Sequence, residues 1–145
     1  MRIFSGIQPT GEKHLGNLIG GFRQYAATQE QGEAFFCVVD LHSITTEYDP
    51  VDFHARTLDL TAMLFATGLD PDRSTVFAQS HVPAHAEAAW LLGSVTSFGQ
   101  LGRMTQFKDK SDRRDFVSAG LFTYPVLMAG DILLYQTDIV PIGDD

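Results

Sequence analysis

The feature of this sequence that most constrains its fold is an alternation of short apolar runs with longer helical patterns. Three runs rich in β-branched and aromatic residues, MRIFSG, AFFCVVD and STVFAQS, are typical of buried strands, and Gly6 is expected to end the first. Between them lie the helical patterns HLGNLIGGFRQYAATQEQ and PVDFHARTLDLTAMLFATG, the second beginning at Asp49-Pro50 and ending at Gly68. Because strands joined through helices run parallel, the pattern predicts an α/β domain with a doubly wound parallel sheet.

Two more helices and a last strand are predicted later in the chain. The helices are VPAHAEAAWLLGSVTS and SAGLFTYPVLMAGDILLYQT, and the strand DIVPIG is interrupted at Pro141. Ligands of a doubly wound sheet bind beyond the carboxyl ends of its strands. We therefore expect the functional residues directly after strands: in the glycine-rich stretch SGIQPTGEKHLGN, at Asp40 and His42, and at Gly143-Asp144-Asp145.

Length and composition favour one globular domain. The 145 residues are 44% hydrophobic, which permits a sizeable core, and no run approaches the roughly 18 apolar residues that a membrane helix needs. The first residues lack the pattern of a signal peptide, so we expect a cytoplasmic protein. The lone cysteine, Cys37, excludes an internal disulfide and is predicted to be a buried core thiol.

The distribution of charge leaves a nucleic-acid partner open. A net charge of −8 argues against such a partner, because neutralisation of phosphate dominates the affinity. Five of the ten Lys and Arg residues nevertheless fall within the stretch RMTQFKDKSDRR. That stretch is either a solvated loop or a basic loop that reaches toward phosphate.

The glycine-rich stretch matches neither of the common phosphate-binding fingerprints. A P-loop needs a lysine where this chain has Glu12, and a dinucleotide fingerprint needs a G-x-G, which occurs nowhere in the chain. What remains is a turn before a helix start, where free N–H groups attract anions. Gly16 would let a nucleotide approach the backbone, and His14 and Asn17 would donate to it from one face. From spacing alone, a turn with an incidental histidine stays equally open.

The same stretch carries a resemblance to a known family. PTGEKHLGN resembles the "HIGH" signature of class I aminoacyl-tRNA synthetases, in the form found in the tryptophanyl and tyrosyl branch, with Asn17 in place of the second histidine. FSGIQPTG, VPAHAEAAW, MTQFKDKS, TYPVLMAGDILLY and DIVPIGDD are similar, in order and spacing, to bacterial tryptophanyl-tRNA synthetases. The resemblance covers the whole chain.

The resemblance implies a Rossmann-like catalytic domain, of which residues 1–145 would be the N-terminal part, with a helical insertion at about 81–122. The second half of that fold and an anticodon-binding domain would lie outside this chain. We therefore expect these residues by themselves to be inactive or weakly active.

The activity that the resemblance implies is the ATP-dependent activation of L-tryptophan to tryptophanyl-adenylate, followed by transfer to tRNA(Trp). ATP would enter as its Mg²⁺ complex, the protein would hold no metal of its own, and the full-length protein would be a cytoplasmic homodimer. A truncated relative that binds tryptophan or ATP without ligase activity is the alternative.

The resemblance also assigns site residues. It implies catalytic roles for His14, Asn17 and Lys110, with Lys108 in the same basic loop near the pyrophosphate. The residues that would border ATP are Gln8, Pro9, Thr10, Gly16, Asn17, Gly143, Asp144 and Asp145. Those that would line the tryptophan pocket are Phe4, Gly6, His42, Tyr124, Met128, Asp131, Val140 and Ile142.

The helix TYPVLMAGDILLY bears on the choice of amino acid. Tyr124, Met128 and Asp131 are spaced i, i+4, i+7 and so share one face of an otherwise apolar segment. A carboxylate there needs a partner, which the backbone or a cap would ordinarily supply. The resemblance implies instead that Asp131 accepts the indole N–H of tryptophan, that Met128 contacts the ring and that Tyr124 holds the ammonium. Tyrosyl enzymes usually carry a glutamine at the position of Met128, so tyrosine is the weaker choice.

Two further features have ordinary explanations. His81 and His85 are spaced i, i+4 like a metal-binding pair, but no third ligand cluster accompanies them, and we predict no metal site. Trp90 lies in an amphipathic segment and is predicted to pack in the core. The resemblance would place the same region in the insertion that helps to form a homodimer.

Overall fold

The computed structural model of the chain describes residues 1–11, 21–105, 107 and 117–141. Its centre is a parallel sheet of three strands in the order β1 (Arg2–Ile7), β2 (Glu33–Val38) and β3 (Ser74–Ala78). The predicted parallel α/β architecture is confirmed. The prediction that β1 ends at Gly6 is wrong by one residue, because pairing with β2 continues through Ile7, which lies opposite Val38.

The last predicted strand is present, within the described residues, as a single parallel bridge between Ile139 and Ile3. The Phe4 N–H donates to the Ile139 carbonyl at 3.0 Å, and the Ser5 hydroxyl donates to the Pro141 carbonyl at 3.1 Å. Ile139 therefore lies along the edge of β1 that β2 leaves open.

Among the described residues, three α-helices precede β3, and only the last has bounds close to those predicted. The first lies within the predicted segment HLGNLIGGFRQYAATQEQ, whose beginning at His14 lies outside the described residues, and the second was not predicted. The three helices are α1 (Arg23–Thr28), α2 (Asp40–Ser43) and α3 (Pro50–Ala66). The carboxylate of Asp49 accepts a hydrogen bond from the Val51 N–H at 2.9 Å, as an N-cap should, and Gly68 follows the helix with φ of 115°.

Three helices follow β3. They are α4 (Ala84–Val95), α5 (Phe98–Leu101) and α6 (Ala119–Leu134). The predicted strand STVFAQS stops at Ala78, because the next three residues, Gln79–His81, form a 3₁₀ turn. α4 and α6 pack closely where Gly130 lies against Ala88, so closely that a Cβ on Gly130 would lie 3.3 Å from the Ala88 Cβ.

Side chains that alternate along the strands fill two cores, one on each face of the sheet. Ile3, Phe36 and Val38 pack on one face with residues of α1 and α3, among them Tyr25, Leu60 and Leu64. Phe4, Cys37 and Val39 pack on the other face with Phe35, Phe77 and Tyr135. Cys37 is fully buried, as predicted, and helices on both faces make the sheet doubly wound. None of the described helices is long and apolar enough to cross a membrane.

Candidate active site

The carboxyl ends of β2 and β3 are tied together by one carboxylate. Asp40 lies two residues after the end of β2, and its Oδ1 accepts from the backbone N–H of Ser80 at 2.9 Å. The hydroxyl of Ser80 donates to the other oxygen of the same carboxylate. Polar residues that follow two strands thus meet at one edge of the sheet, where a doubly wound fold places its ligand.

Asp131 lies at the centre of a buried polar cluster next to this edge. Its Oδ2 lies 2.8 Å from Nε2 of His42 in α2. Its Oδ1 lies 2.6 Å from Nδ1 of His85 in α4 and accepts from the amide of Gln79 at 2.7 Å. The side chain of Asp131 is only 3% exposed, and Gln79 and His85 are fully buried. Three separate elements therefore supply the partners of one carboxylate on α6.

These partners keep Asp131 ionised. Burial alone would raise its pKa, but hydrogen bonds from His42 and His85, the charge of His42 and the Gln79 amide outweigh burial and lower the pKa below the ordinary value for aspartate. Burial of the Cys37 thiol, followed by the negative charges of Asp131 and Asp40, raises the pKa of that thiol. The site therefore presents a carboxylate acceptor, and Cys37 is no nucleophile at neutral pH.

Tyr135 extends the cluster by one residue. Its hydroxyl lies 2.9 Å from Nε2 of His85, and its ring stacks on Phe4 with a centroid distance of 5.1 Å. Phe35 and Phe77 also contact the ring, at 4.8 and 5.7 Å. Burial, followed by the nearby Cys37 and Asp131, raises the pKa of Tyr135 to about 12. The hydroxyl is therefore protonated at neutral pH.

The residues predicted for the tryptophan pocket are only partly brought together. Tyr124 is buried with its ring edge toward His42, at a centroid distance of 6.2 Å, and burial raises its pKa. Met128 is 41% exposed although it shares the face of α6 with Tyr124 and Asp131, and Val140 is 39% exposed.

Two predicted pocket residues lie in β1. Phe4 is buried beneath Tyr135, and Gly6 pairs with Cys37 in the sheet. Phe4 therefore reaches the Asp131 cluster through the ring of Tyr135.

The described part of the glycine-rich turn follows β1 directly. The hydroxyl of Thr10 lies 3.5 Å from Oε1 of Gln8. Pro9 and Thr10 line a cavity of about 240 Å³ together with residues at the start of α3, among them Asp52 and Arg56.

Several predicted residues lie outside the described ones, and their roles stay predictions. These are His14, Gly16, Asn17, Lys108, Lys110, Ile142, Gly143, Asp144 and Asp145.

The prediction that Trp90 packs in the core is wrong. Its side chain is 80% exposed, because α4 meets α6 through the small residues Ala88 and Ala89 and turns Trp90 away from that contact. Trp90 lines an apolar cavity of about 680 Å³ between α4, α5 and α6. Leu91, Val95 and Phe98 nearby are also exposed, so this side of the molecule carries a large apolar surface.

The partners of Asp131 were the part of the site that sequence reasoning missed. The sequence suggests the backbone or a cap as the ordinary partner of Asp131, the resemblance implies the indole N–H of tryptophan, and His85 enters only as half of a possible metal pair. The signal that could have found Gln79 is its place directly after β3, at the carboxyl edge of the sheet where functional residues are expected. Within residues 1–11, 21–105, 107 and 117–141, no group of three or more His, Cys, Asp and Glu side chains is arranged to hold a metal ion.

Comparison with known proteins places this arrangement in a family. A profile described as tRNA synthetases class I (W and Y) matches residues 1–145. The tryptophan–tRNA ligase of Caldanaerobacter subterraneus subsp. tengcongensis is 57% identical over 144 residues, which are 99% of this chain and 44% of that protein.

Solved structures of tryptophanyl-tRNA synthetases also resemble this chain. Tryptophanyl-tRNA synthetase from Mycoplasma pneumoniae matches with a TM-score of 0.91 and 45% identity, over 98% of this chain and 42% of that one. The enzyme from Campylobacter jejuni, complexed with ADP and tryptophan, matches with a TM-score of 0.93 and 38% identity, over 99% and 45%. The chain thus spans less than half the length of these relatives, and it belongs to the class I tRNA synthetases of the tryptophan and tyrosine group.

Proposed function

We propose that this chain forms the N-terminal part of the catalytic domain of a tryptophan–tRNA ligase. The full protein would join the carboxylate of L-tryptophan to the α-phosphate of ATP, release pyrophosphate, and transfer the tryptophanyl group to tRNA(Trp). Residues from about 81 to 122 would be the helical insertion of that domain.

The observation that carries the proposal is the buried, ionised carboxylate of Asp131 at the carboxyl edge of the sheet. Tryptophan carries a ring N–H on a large apolar aromatic side chain, and that N–H would donate to Asp131. A hydrogen bond to a charged group contributes about 1.5–3 kcal/mol. Phenylalanine offers no donor, so its binding would bury the carboxylate beside an apolar ring and be rejected.

The other pocket residues would surround the substrate. Tyr124 would hold the ammonium through its hydroxyl, and His42, which touches both Asp131 and Tyr124, would fix the wall between them. Phe4, Gly6, Met128, Val140 and Ile142 would complete the pocket. The exposure of Met128 leaves it accessible to a ring entering from solvent.

ATP would bind beyond β1 and the last strand as its Mg²⁺ complex. Gln8, Pro9 and Thr10 follow β1 directly. Nucleotides bind next to residues at this position in doubly wound folds. His14 and Asn17 would donate to phosphate oxygens as charge develops, Gly16 would admit the nucleotide, and Gly143, Asp144 and Asp145 would hold the adenosine side. Lys110 would meet the pyrophosphate. Such chemistry depends on positioning and charge, so it needs no nucleophilic side chain.

The proposed partners are tRNA(Trp) and a second copy of the chain, and the proposed location is the cytoplasm. The exposed side chains of Trp90, Leu91, Val95 and Phe98 suit a subunit interface, because such surfaces are rarely left open on monomers. A homodimer formed through this insertion would cover them.

Tryptophan-dependent exchange between ATP and labelled pyrophosphate by the full protein tests the proposal. We expect exchange with tryptophan and little with phenylalanine or tyrosine. Tryptophan binding without exchange would instead identify a binding protein without ligase activity, and exchange driven by tyrosine would refute the assignment of the amino acid.

A further inference from the structure

The side chains around Asp131 occupy both acceptor positions of one carboxylate oxygen and only one position of the other. A carboxylate offers about four lone-pair positions, two on each oxygen. Oδ1 takes two donors, from His85 and Gln79, whereas Oδ2 takes one, from His42. Among the contacts of the described residues, the open acceptor position of Asp131 is therefore on Oδ2.

The ring of His85 has a fixed tautomer. Asp131 is ionised and can only accept, so Nδ1 of His85 must carry the hydrogen in that contact. In a neutral imidazole the other nitrogen is then an acceptor, and the protonated hydroxyl of Tyr135 donates to it at 2.9 Å. Tyr135, His85 and Asp131 thus form a directed chain of hydrogen bonds that ends on Oδ1.

Tyr135 is itself held by the sheet. Phe4, Phe35 and Phe77, one from each strand, contact its ring at centroid distances between 4.8 and 5.7 Å. Tyr135 directly follows the last residue of α6, four positions after Asp131. The hydroxyl is therefore fixed with respect to both the sheet and the carboxylate.

We propose that Tyr135 and His85 are positioning residues for amino-acid selection. They lock the Asp131 carboxylate through Oδ1, so that the remaining acceptor of Oδ2 is presented to the N–H of the substrate ring. Neither residue needs to touch the substrate. The inference rests on the proposed tryptophan site and adds to it the residues that set the direction of its acceptor.

The test is a ratio of two affinities, measured by calorimetry on the full protein. One ligand is tryptophan, and the other is its analogue in which sulfur replaces the ring N–H. The two differ in the donor that Asp131 would recognise, so a variant that merely loosens the fold weakens both and leaves their ratio unchanged. Binding requires no chemistry, so the ratio can be read whether or not the protein catalyses exchange.

The wild-type protein should prefer tryptophan by at least about tenfold, the effect of one hydrogen bond to a charged group. Tyr135→Phe keeps the stacked ring and removes the hydroxyl, and it should lower the ratio about threefold to tenfold. His85→Leu should abolish most of the preference. His85→Asn, whose amide can donate from near the position of Nδ1, should restore part of it, whereas the control His54→Asn, on the exposed side of α3, should leave it unchanged.

A ratio that is the same in the wild-type protein, Tyr135→Phe and His85→Leu would overturn the inference, and so would a wild-type protein without preference for the N–H ligand. Failure of the proposed ligase has a different signature, which is absence of tryptophan-dependent pyrophosphate exchange by a protein that still prefers tryptophan over the sulfur analogue.

Discussion

At the scale of single residues, the pattern of hydrogen-bond donors and acceptors around Asp131 determines which side chain can stand at this position. Asp131 accepts from three side chains and donates to none, and the buried Oε1 of Gln79 has no hydrogen-bond partner among the described residues. A carboxylate suits this position because a carboxamide would bring its own N–H groups against those of the surrounding donors.

Asp131→Asn is therefore expected to disturb both selectivity and stability. One end of the new side chain is an NH₂ group facing a donor, and a broken buried hydrogen bond of this kind costs about 1–3 kcal/mol. The ratio of pyrophosphate exchange with tryptophan to that with phenylalanine should fall by about tenfold or more. Asp59→Asn, on an exposed position of α3, is the matched control. Unchanged selectivity would remove Asp131 from the pocket.

The hydroxyl of Tyr135 gives a prediction in alkaline solution. Because the folded pKa of about 12 lies above the ordinary value near 10, this residue stabilises the folded state below pH 10, and that contribution is lost as pH rises toward 12. The difference in tyrosinate absorbance between the wild-type protein and Tyr135→Phe should have its midpoint near pH 12. A midpoint near pH 10 would mean that the hydroxyl is not held in the buried cluster.

At the scale of elements, the contact between α4 and α6 determines the distance from His85 to Asp131, since these residues belong to the two helices. The contact relies on Gly130, where a larger side chain would press on Ala88. The spacing of the site thus depends on the absence of a side chain one residue before the carboxylate.

Gly130→Ile should lower the free energy of unfolding by about 1–3 kcal/mol through overpacking, and it should weaken tryptophan binding because α4 is pushed away. Gly93→Ala in α4 is the contrasting variant. Its new Cβ meets no atom within 4 Å, and replacing a helical glycine by alanine should stabilise the protein by about 0.5–1 kcal/mol. Denaturant unfolding and calorimetric binding measure both effects. Equal stability of the two variants would show that the helices do not need this close approach.

Most helices and strands could be predicted from the sequence, whereas the tertiary contacts between them could not. The caps at Asp49 and Gly68 and the periodicity of α3 are local signals, and the structure follows them. The partnership of Asp131 with Gln79 and His85 joins residues 52 and 46 positions apart, and no local pattern encodes such a distance. The prediction that Trp90 is buried was wrong for the same reason, because the side of α4 that is buried depends on which residues of α6 pack against it.

At the scale of the whole molecule, the apolar surface around Trp90 is the feature that a single chain does not explain. Trp90→Ser should raise the dissociation constant of the proposed homodimer about 30-fold or more, since a buried interface tryptophan contributes about 2 kcal/mol or more. Sedimentation velocity of the full protein at micromolar concentration would detect the monomer. Val51→Ser, an 84% exposed apolar residue at the start of α3, is the control. Equal dimerisation of both variants would place the interface elsewhere.

The contact of Tyr135 with one phenylalanine from each strand has a consequence for how the molecule assembles. Successive side chains of a strand point to opposite faces, so a slip of β3 by one residue would remove Phe77 from the ring and shift Gln79, two positions later, away from Asp131. A slipped sheet would leave a buried carboxylate short of a donor, at a cost of about 1–3 kcal/mol or more. The carboxylate proposed to choose between amino acids therefore also favours the observed register of β3 over a slipped one.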